Sequence, residues 1–278
     1  MYDTETTFVT HVRVDSLDRI NNLQIILNFY SRFFPKSKFI LVEDGSEHDE
    51  RFDKLTYPKK SAFYFLQNSE TYHRTKALNY GMFKAKTKHV VSLDTDCIVD
   101  PKSLQTCFEA IEQKQTSIAW PCNGYFVDTA RIFIDTKVKK WSELYDTCYE
   151  EFIKINAPTI GQTTSIFSIR CTPSSHISKG GIVVFDSDIF AKLGGYNEKF
   201  IGWGAEDDEL DTRYKTFNQT TFRDSDGVCF HIQHQGAVRH ANPFYSHNCL
   251  ESDKVGIMNQ NQLRKYISSW PWKPTNNE

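Results

Sequence analysis

An α/β fold with an open, largely parallel sheet and helices on both faces is what this sequence predicts, on three observations. Strand and helix signals alternate through the first hundred residues, the order that builds a parallel sheet with crossover helices. Several strand candidates are short continuous apolar runs, such as Phe39-Ile40-Leu41-Val42, the pattern of a strand covered on both faces. Acidic residues follow such runs directly, at the carboxyl ends of strands where open sheets of this kind bind ligands.

Each element has its own signal. Phe8-Val9-Thr10-His11-Val12 reads as a strand. Between residues 15 and 34, Ile20, Leu23, Ile26, Leu27, Tyr30 and Phe33 fall on one helical face, and Pro35 stops the helix. The runs 39–42 and 63–66 are further strands. Residues 75–86 read as a helix with Leu78, Met82 and Ala85 inward, and the strand 89–93 runs straight into Asp94. Asp100-Pro101 opens a helix through Glu112, because proline suits the first helical position. The second half is less regular. Trp141, Leu144, Tyr145, Cys148, Tyr149 and Phe152 form a helical stripe, and 159–178 reads as a polar loop. Gly180-Gly181 precedes a strand at 182–185, a short helix near Ile189 ends at Gly194-Gly195, and 228–230 reads as a strand. No repeat or linker divides the chain, so one domain over 1–278 is expected.

The bulk numbers exclude some classes. With 278 residues, 39% hydrophobic, the chain can bury a substantial core. A formal net charge of -2 gives no basic field for nucleic acid. Seven cysteines without a C-x-x-C pair favour free thiols in a reducing compartment. The polar start Met1-Tyr2-Asp3-Thr4-Glu5 is not a leader, and no apolar stretch nears the roughly 20 residues of a membrane span. The chain as given therefore reads as cytoplasmic, or as lumenal in the secretory pathway if an N-terminal anchor has been removed.

Several clusters carry chemistry. Asp94-Thr95-Asp96 sets two carboxylates around one residue directly after a strand; oxygen ligands of this kind suit Mg²⁺ or Mn²⁺ and substrate phosphates. Acidic triplets also occur by chance, so position is what favours this one. Glu43-Asp44-Gly45 reads either as a tight turn or as the floor of a nucleotide site. Arg74 opens a helix, where it either meets a diphosphate or is a solvated first-turn residue. Gly202-Trp203-Gly204-Ala205-Glu206-Asp207-Asp208-Glu209-Leu210-Asp211 is the strongest signal: glycines that present an indole, then five acidic residues in six positions. Carboxylates in a first helical turn are partly benign, but this turn also offers a base beside a hydroxyl. His231 and His234 can share an ion in a turn, or be structural; His240 and His247 follow closely.

Taken together, these motifs resemble glycosyltransferases of the GT-A fold, a Rossmann-like open sheet, and within them the beta-1,4-galactosyltransferase-like group with its galactosyltransferase C-terminal module. The ordered set spans about residues 7 to 250, and W-G-x-E-D-D is its most specific piece. The resemblance implies a nucleotide-sugar-binding half over about 1–120, an acceptor and catalytic half over about 121–250, and a tail over 251–278. It implies donor contacts from Arg13, Asp44, Tyr72, Arg74, Lys76, Asn79, Asp94, Thr95, Gly181 and Trp203. Acceptor contacts fall on Trp203, Glu206, Asp207 and Asp208, with Asp207 as the base. The metal, Mn²⁺ with Mg²⁺ as the alternative, falls on Asp96, His231 and His234.

Three positions depart from the family pattern. His231 stands where the galactosyltransferases carry Met, Ala205 replaces the second glycine of W-G-G, and Ser178 stands in place of a Tyr of galactose-specific members. The small Ser178 leaves room for an N-acetyl group. The expected reaction is inverting transfer of Gal, GalNAc or GlcNAc from a UDP-sugar to a glycan or glycoconjugate hydroxyl. Two rivals are a nucleotidyltransferase that makes nucleotide sugars, although 10–15 lacks the glycine-rich loop of that class, and an inactive sugar-binding module. Trp270-Pro271-Trp272 reads as tail packing ahead of an acceptor platform.

Overall fold

The computed structural model describes residues 2–130, 143–155, 158–164, 167–174, 177–234 and 242–272. Its main sheet has seven strands: β1 (Thr6–Val12), β2 (Lys38–Gly45), β3 (Ser61–Gln67), β4 (His89–Leu93), β6 (Ile118–Trp120), β9 (Ile182–Asp186) and β10 (Thr221–Arg223), in the order β10-β6-β9-β4-β1-β2-β3. β3, β2, β1 and β4 are mutually parallel, β9 runs antiparallel to both β4 and β6, and β10 is parallel to β6. A second sheet, β5 (Cys97–Ile98), β11 (Cys229–Ile232), β7 (Phe126–Thr129) and β8 (Phe167–Cys171), is paired in that order.

The apolar runs predict strands correctly because both faces of the sheet are covered. Phe8, Phe39, Leu41 and Val91 point into one core, with α1 (Leu17–Phe33) and α3 (Pro101–Glu112). Their neighbours Val9, Ile40, Val42 and Val90 point into the other, with α2 (Arg74–Lys84) and α6 (Glu206–Thr216). This is the period-2 alternation of a strand, with helix-covered faces on both sides. Helix starts follow local chemistry: Ser16 caps α1 by accepting from the Arg19 amide, and Asp100 caps α3 with Pro101 in the first turn. α4 (Leu144–Phe152) and α5 (Ser187–Lys192) match the helices expected near them; Trp141 lies outside the described residues, as does His240.

Several boundaries differ from expectation. Glu43, Asp44 and Gly45 continue β2 rather than turning, because they pair with Phe65, Leu66 and Gln67 of β3. The region expected as a polar loop holds β8, which pairs antiparallel with β7. The expected tail begins inside α7 (Tyr245–Gly256) and continues into α8 (Gln260–Ser268), which starts with a capping box of Asn259 and Gln262. Trp270 is buried against Val255, Leu263 and Ile267 and stacks on Trp272, so packing is the role the structure gives this pair. Among the described residues no helix is long and apolar enough to cross a membrane.

Candidate active site

The ends of β1, β2 and β4 converge with the start of α2 and of α6. Asp94 follows β4, and its amide donates to the Gly181 carbonyl at 2.9 Å, which ties the D-x-D to the strand entering from the second half. Thr95 between the two carboxylates is buried. Asp94 Oδ1 accepts from His11 Nε2 at 3.0 Å and from Arg74 at 3.1 Å. Burial raises the Asp94 carboxyl, but Arg74 and His11 outweigh it and hold it below the ordinary carboxylate range. His11 is kept neutral by burial, so its second nitrogen, Nδ1, accepts from the Tyr72 hydroxyl. Burial likewise keeps the Tyr72 proton in place.

Arg74 joins the two halves of the cleft. It is 3% exposed, and its guanidinium reaches Asp94, Asp207 at 3.4 Å and Glu206 at 3.4 Å. The Glu206 contact is an ion pair without hydrogen-bond alignment, since Glu206 Oε1 makes no hydrogen bond. The other oxygen, Oε2, accepts from the Gly204 amide at 2.6 Å. Burial and the neighbouring Asp207 push Glu206 up to about 7. Burial also raises Asp207, with Asp94 and Asp208 adding to it against the pull of Arg74. A carboxylate raised in this way is a stronger base than one in water. Asp207 Oδ1 faces Arg74, while Oδ2 lies over Gly180, where a Cβ would stand 2.5 Å away. Trp203 is 40% exposed at the rim of the same turn. Asp208 and Asp211 share Lys179, at 2.9 and 2.8 Å.

On the nucleotide side, Arg13 is committed to carbonyls of Asp44, Asn68 and Glu70 and pairs with the Asp44 carboxylate at 3.3 Å. Asp44 Oδ2 also accepts from Asn68 and from the His73 amide. These bonds fix the loop that carries Tyr72. Lys76 is exposed on α2. Asn79 is not brought to the cleft: it is buried, and bonds Tyr196 through both side-chain ends and Glu198 through its amide.

Asp96 is the centre of the third group. His234 Nε2 stands 3.0 Å from Oδ2, His231 Nε2 3.5 Å from Oδ1, and Arg19 3.1 Å from Oδ2. Burial raises Asp96, yet His231, His234 and Arg19 prevail and hold it far below the usual range, so it is a carboxylate. The three candidate ligand atoms lie within 4.8 Å of one another. Two ligands at right angles on a shell of about 2.1 Å stand about 3.0 Å apart, close to the 3.0 and 3.5 Å that separate the two histidine nitrogens from the Asp96 oxygens, so these residues could hold one small divalent cation. Asp94, Asp96 and Cys97 also converge, but a hydrogen bond with Cys229 and burial push the Cys97 thiol well up, which makes it a poor ligand. His11, Arg19 and Asp128 belong to this cleft and carry no motif in the sequence.

A model of the family described as "Glycosyltransferase like family 2" matches residues 16–232, a span that includes the D-x-D, the Trp203 turn and β11. The chain belongs to this family. It is therefore a glycosyltransferase. Among solved structures, the transferase is similar to the mannosyltransferase PcManGT from Pyrobaculum calidifontis in complex with GDP-Man and Mn²⁺. The TM-score is 0.56 with 14% identity, over 95% of this chain and 68% of that one. That likeness places the transferase in the GT-A fold.

Proposed function

We propose that this glycosyltransferase moves a hexose or N-acetylhexosamine (Gal, GalNAc or GlcNAc) from a UDP-sugar to a hydroxyl of a glycan or glycoconjugate, with inversion. The observation that carries the reading is Arg74, which holds Asp207 and Glu206 against Asp94 in one buried cluster at the strand ends. Asp207 is the general base. Its Oδ1 is turned to Arg74, and its Oδ2, lying over Gly180, takes the acceptor proton. The acceptor oxygen then bonds the anomeric carbon as the bond to the diphosphate oxygen breaks on the opposite face. The raised basicity of Asp207 suits this transfer near neutral pH. Trp203 offers an apolar wall for a sugar ring, with Asp208 at the rim and the buried Glu206 behind it as the proposed partners of acceptor hydroxyls.

Asp96, His231 and His234 would hold the cation, proposed as Mn²⁺ with Mg²⁺ as the alternative. When bound, such an ion supplies positive charge to the leaving diphosphate. Arg74 adds charge beside it, and Arg13 with Asp44 holds the loop that presents Tyr72 to the nucleotide. The galactosyltransferase-like placement rests on the W-G-x-E-D-D turn and the Gly180-Gly181 pair. Ser178 favours an N-acetylated donor, because a small side chain there leaves room that a Tyr would fill. The neighbour with GDP-Man is the reason to include that donor in the test.

The test is a screen of UDP-Gal, UDP-Glc, UDP-GalNAc, UDP-GlcNAc and GDP-Man with Mn²⁺ and simple sugar acceptors, with product configuration read by NMR. An inverted product from a UDP donor, lost in Asp207→Asn with UDP binding retained, is expected. Retained configuration, turnover of GDP-Man alone, or an active Asp207→Asn would overturn the reading.

A further inference from the structure

We propose that Asp128, held by Arg170, is a positioning residue that fixes the ring of His231 so that its Nε2 faces Asp96. This rests on the cation site proposed above. Asp128 Oδ1 lies 2.7 Å from His231 Nδ1. At that distance from a carboxylate oxygen Nδ1 must carry hydrogen, since two lone pairs would repel. The proton on Nδ1 leaves the Nε2 lone pair free for a cation, the arrangement that second-shell carboxylates give to metal-binding histidines. Arg170 Nη2 is also 3.3 Å from Nδ1, but it is engaged with Asp128 at 2.5 and, through Nε, 2.9 Å, so the guanidinium orients the carboxylate rather than the ring.

The small sheet gives this relay its geometry. Asp128 and His231 are register partners on the parallel strands β7 and β11, and Arg170 is on β8, the antiparallel neighbour of β7. Phe126 closes the group: its ring lies 5.4 Å from His231, with Arg170 stacked on it at 5.0 Å. The His231 carbonyl accepts from Thr129, which pins the backbone as well. Thus three strands fix one imidazole, and Asp128 is 16% exposed at its side chain while salt-bridged to Arg170. A purely structural Asp128–Arg170 pair would not depend on which His231 nitrogen carries the proton.

Two measurements on the full chain test this. In the metal-free wild type, long-range ¹H–¹⁵N NMR of His231 should show the neutral ring protonated at Nδ1; protonation at Nε2 alone would overturn the proposal. Mn²⁺ affinity, read from the free-ion EPR signal, should weaken about 10–100-fold in Asp128→Ala and less in Asp128→Asn, whose amide oxygen still accepts from Nδ1. Metal-free thermal stability of each variant separates this from unfolding. Affinity unchanged in both variants, while Asp96→Ala abolishes binding, would refute the role of Asp128 alone. Equal binding by wild type and Asp96→Ala would instead refute the cation site and the proposal with it.

Discussion

Substituting Gly180 with alanine should damage catalysis while sparing the fold. A Cβ at this position would stand 2.5 Å from Asp207 Oδ2 and 3.5 Å from its Cγ. Ordinary carbon–oxygen contact begins near 3.4 Å, so the carboxylate must retreat by about 0.9 Å. The obstacle is the end of a side chain, and among the described residues outside its chain neighbours no other side chain or backbone lies within 4 Å of the new methyl, so the backbone need not move. A displacement of about 1 Å in a reacting group costs on the order of 10²-fold in rate. The expected result is a kcat reduced roughly a hundredfold in Gly180→Ala, with KM for the donor changed little. Thermal unfolding should stay within about 2 °C of wild type, corresponding to about 1 kcal/mol in a chain of this size. Steady-state kinetics with both substrates, beside a melting curve, decides it. A kcat within twofold of wild type would refute Asp207 as the group that must sit over Gly180. A large drop in melting temperature would refute the claim that the carboxylate yields without the backbone.

Three further outcomes follow from the same cluster and its support. Glu206 is raised to about 7 by burial and Asp207, so the folded state keeps a proton that the unfolded state loses; its contribution, on the order of 3 kcal/mol, is present below about pH 4.5 and is lost as pH rises through 7. Glu206→Gln should therefore gain urea stability relative to wild type as pH rises from 5 to 8, since His11, His73 and His89, lowered by burial and opposite in sign, are common to both and cancel in the difference; a difference that does not change with pH would count against it. Ala205 sits at φ 69°, the left-handed region that favours glycine, so Ala205→Gly should add about 0.5–1 kcal/mol in chemical denaturation, and a loss would contradict the strain. Arg213 is fully buried, paired to Glu209 and bonded to the carbonyls of Leu193 and Gly195; Arg213→Met should cost about 3–5 kcal/mol by stranding Glu209, and Arg213→Met with Glu209→Met should recover part of it, which unfolding measurements on both variants would check.

Reading the sequence worked where local signals coincide with two-sided burial. β1, β2 and β4 are apolar on both faces because helices cover both, and Asp100-Pro101 encodes the start of α3 in two residues. It failed where tertiary pairing overrides propensity. Glu43-Asp44-Gly45 has turn chemistry, yet pairing with β3 keeps it extended, and Asp44 is satisfied by Arg13, Asn68 and His73 instead of by a turn. β8 was hidden because Phe167-Ser168-Ile169-Arg170-Cys171 is short and mixed, and only its partner β7 makes it a strand. The capping box at Asn259 and Gln262 was a legible signal for α8 that hydrophobic pattern alone did not raise. Site residues divide in the same way. Asp94, Asp96, Glu206 and Asp207 stand out as clustered charges in the chain. His11, Arg19 and Asp128 are single polar residues among apolar ones, and only the convergence of β1, α1 and β7 on the cleft gives them meaning. Asn79 is the converse, a motif residue that the fold uses to hold the turn at Tyr196.

The charge balance of the cleft supports the proposal that a cation accompanies a diphosphate donor. Arg74 faces three carboxylates, Asp94, Glu206 and Asp207, and Arg19 is already paired to Asp96. Even with Glu206 half protonated near pH 7, this group carries a surplus of negative charge before any diphosphate arrives. Two like charges about 6 Å apart repel by roughly 3 kcal/mol at an effective dielectric of 20, so a diphosphate entering the bare cleft would be opposed several times over. Arg74 cannot turn wholly to the donor either, because releasing Asp207 and Glu206 would leave two buried carboxylates uncompensated. The positive charge must then come from outside the chain. The group that could receive it without dismantling the Arg74 cluster is Asp96 with His231 and His234, none of which is paired to Arg74. A divalent ion held there would supply positive charge beside Asp96, while Arg74 holds Asp207 near Gly180. On the proposed mechanism the D-x-D would divide its labour: Asp96 would hold the ion that meets the donor's charge, while Asp94 is paired to Arg74, which in turn is paired to the proposed base Asp207.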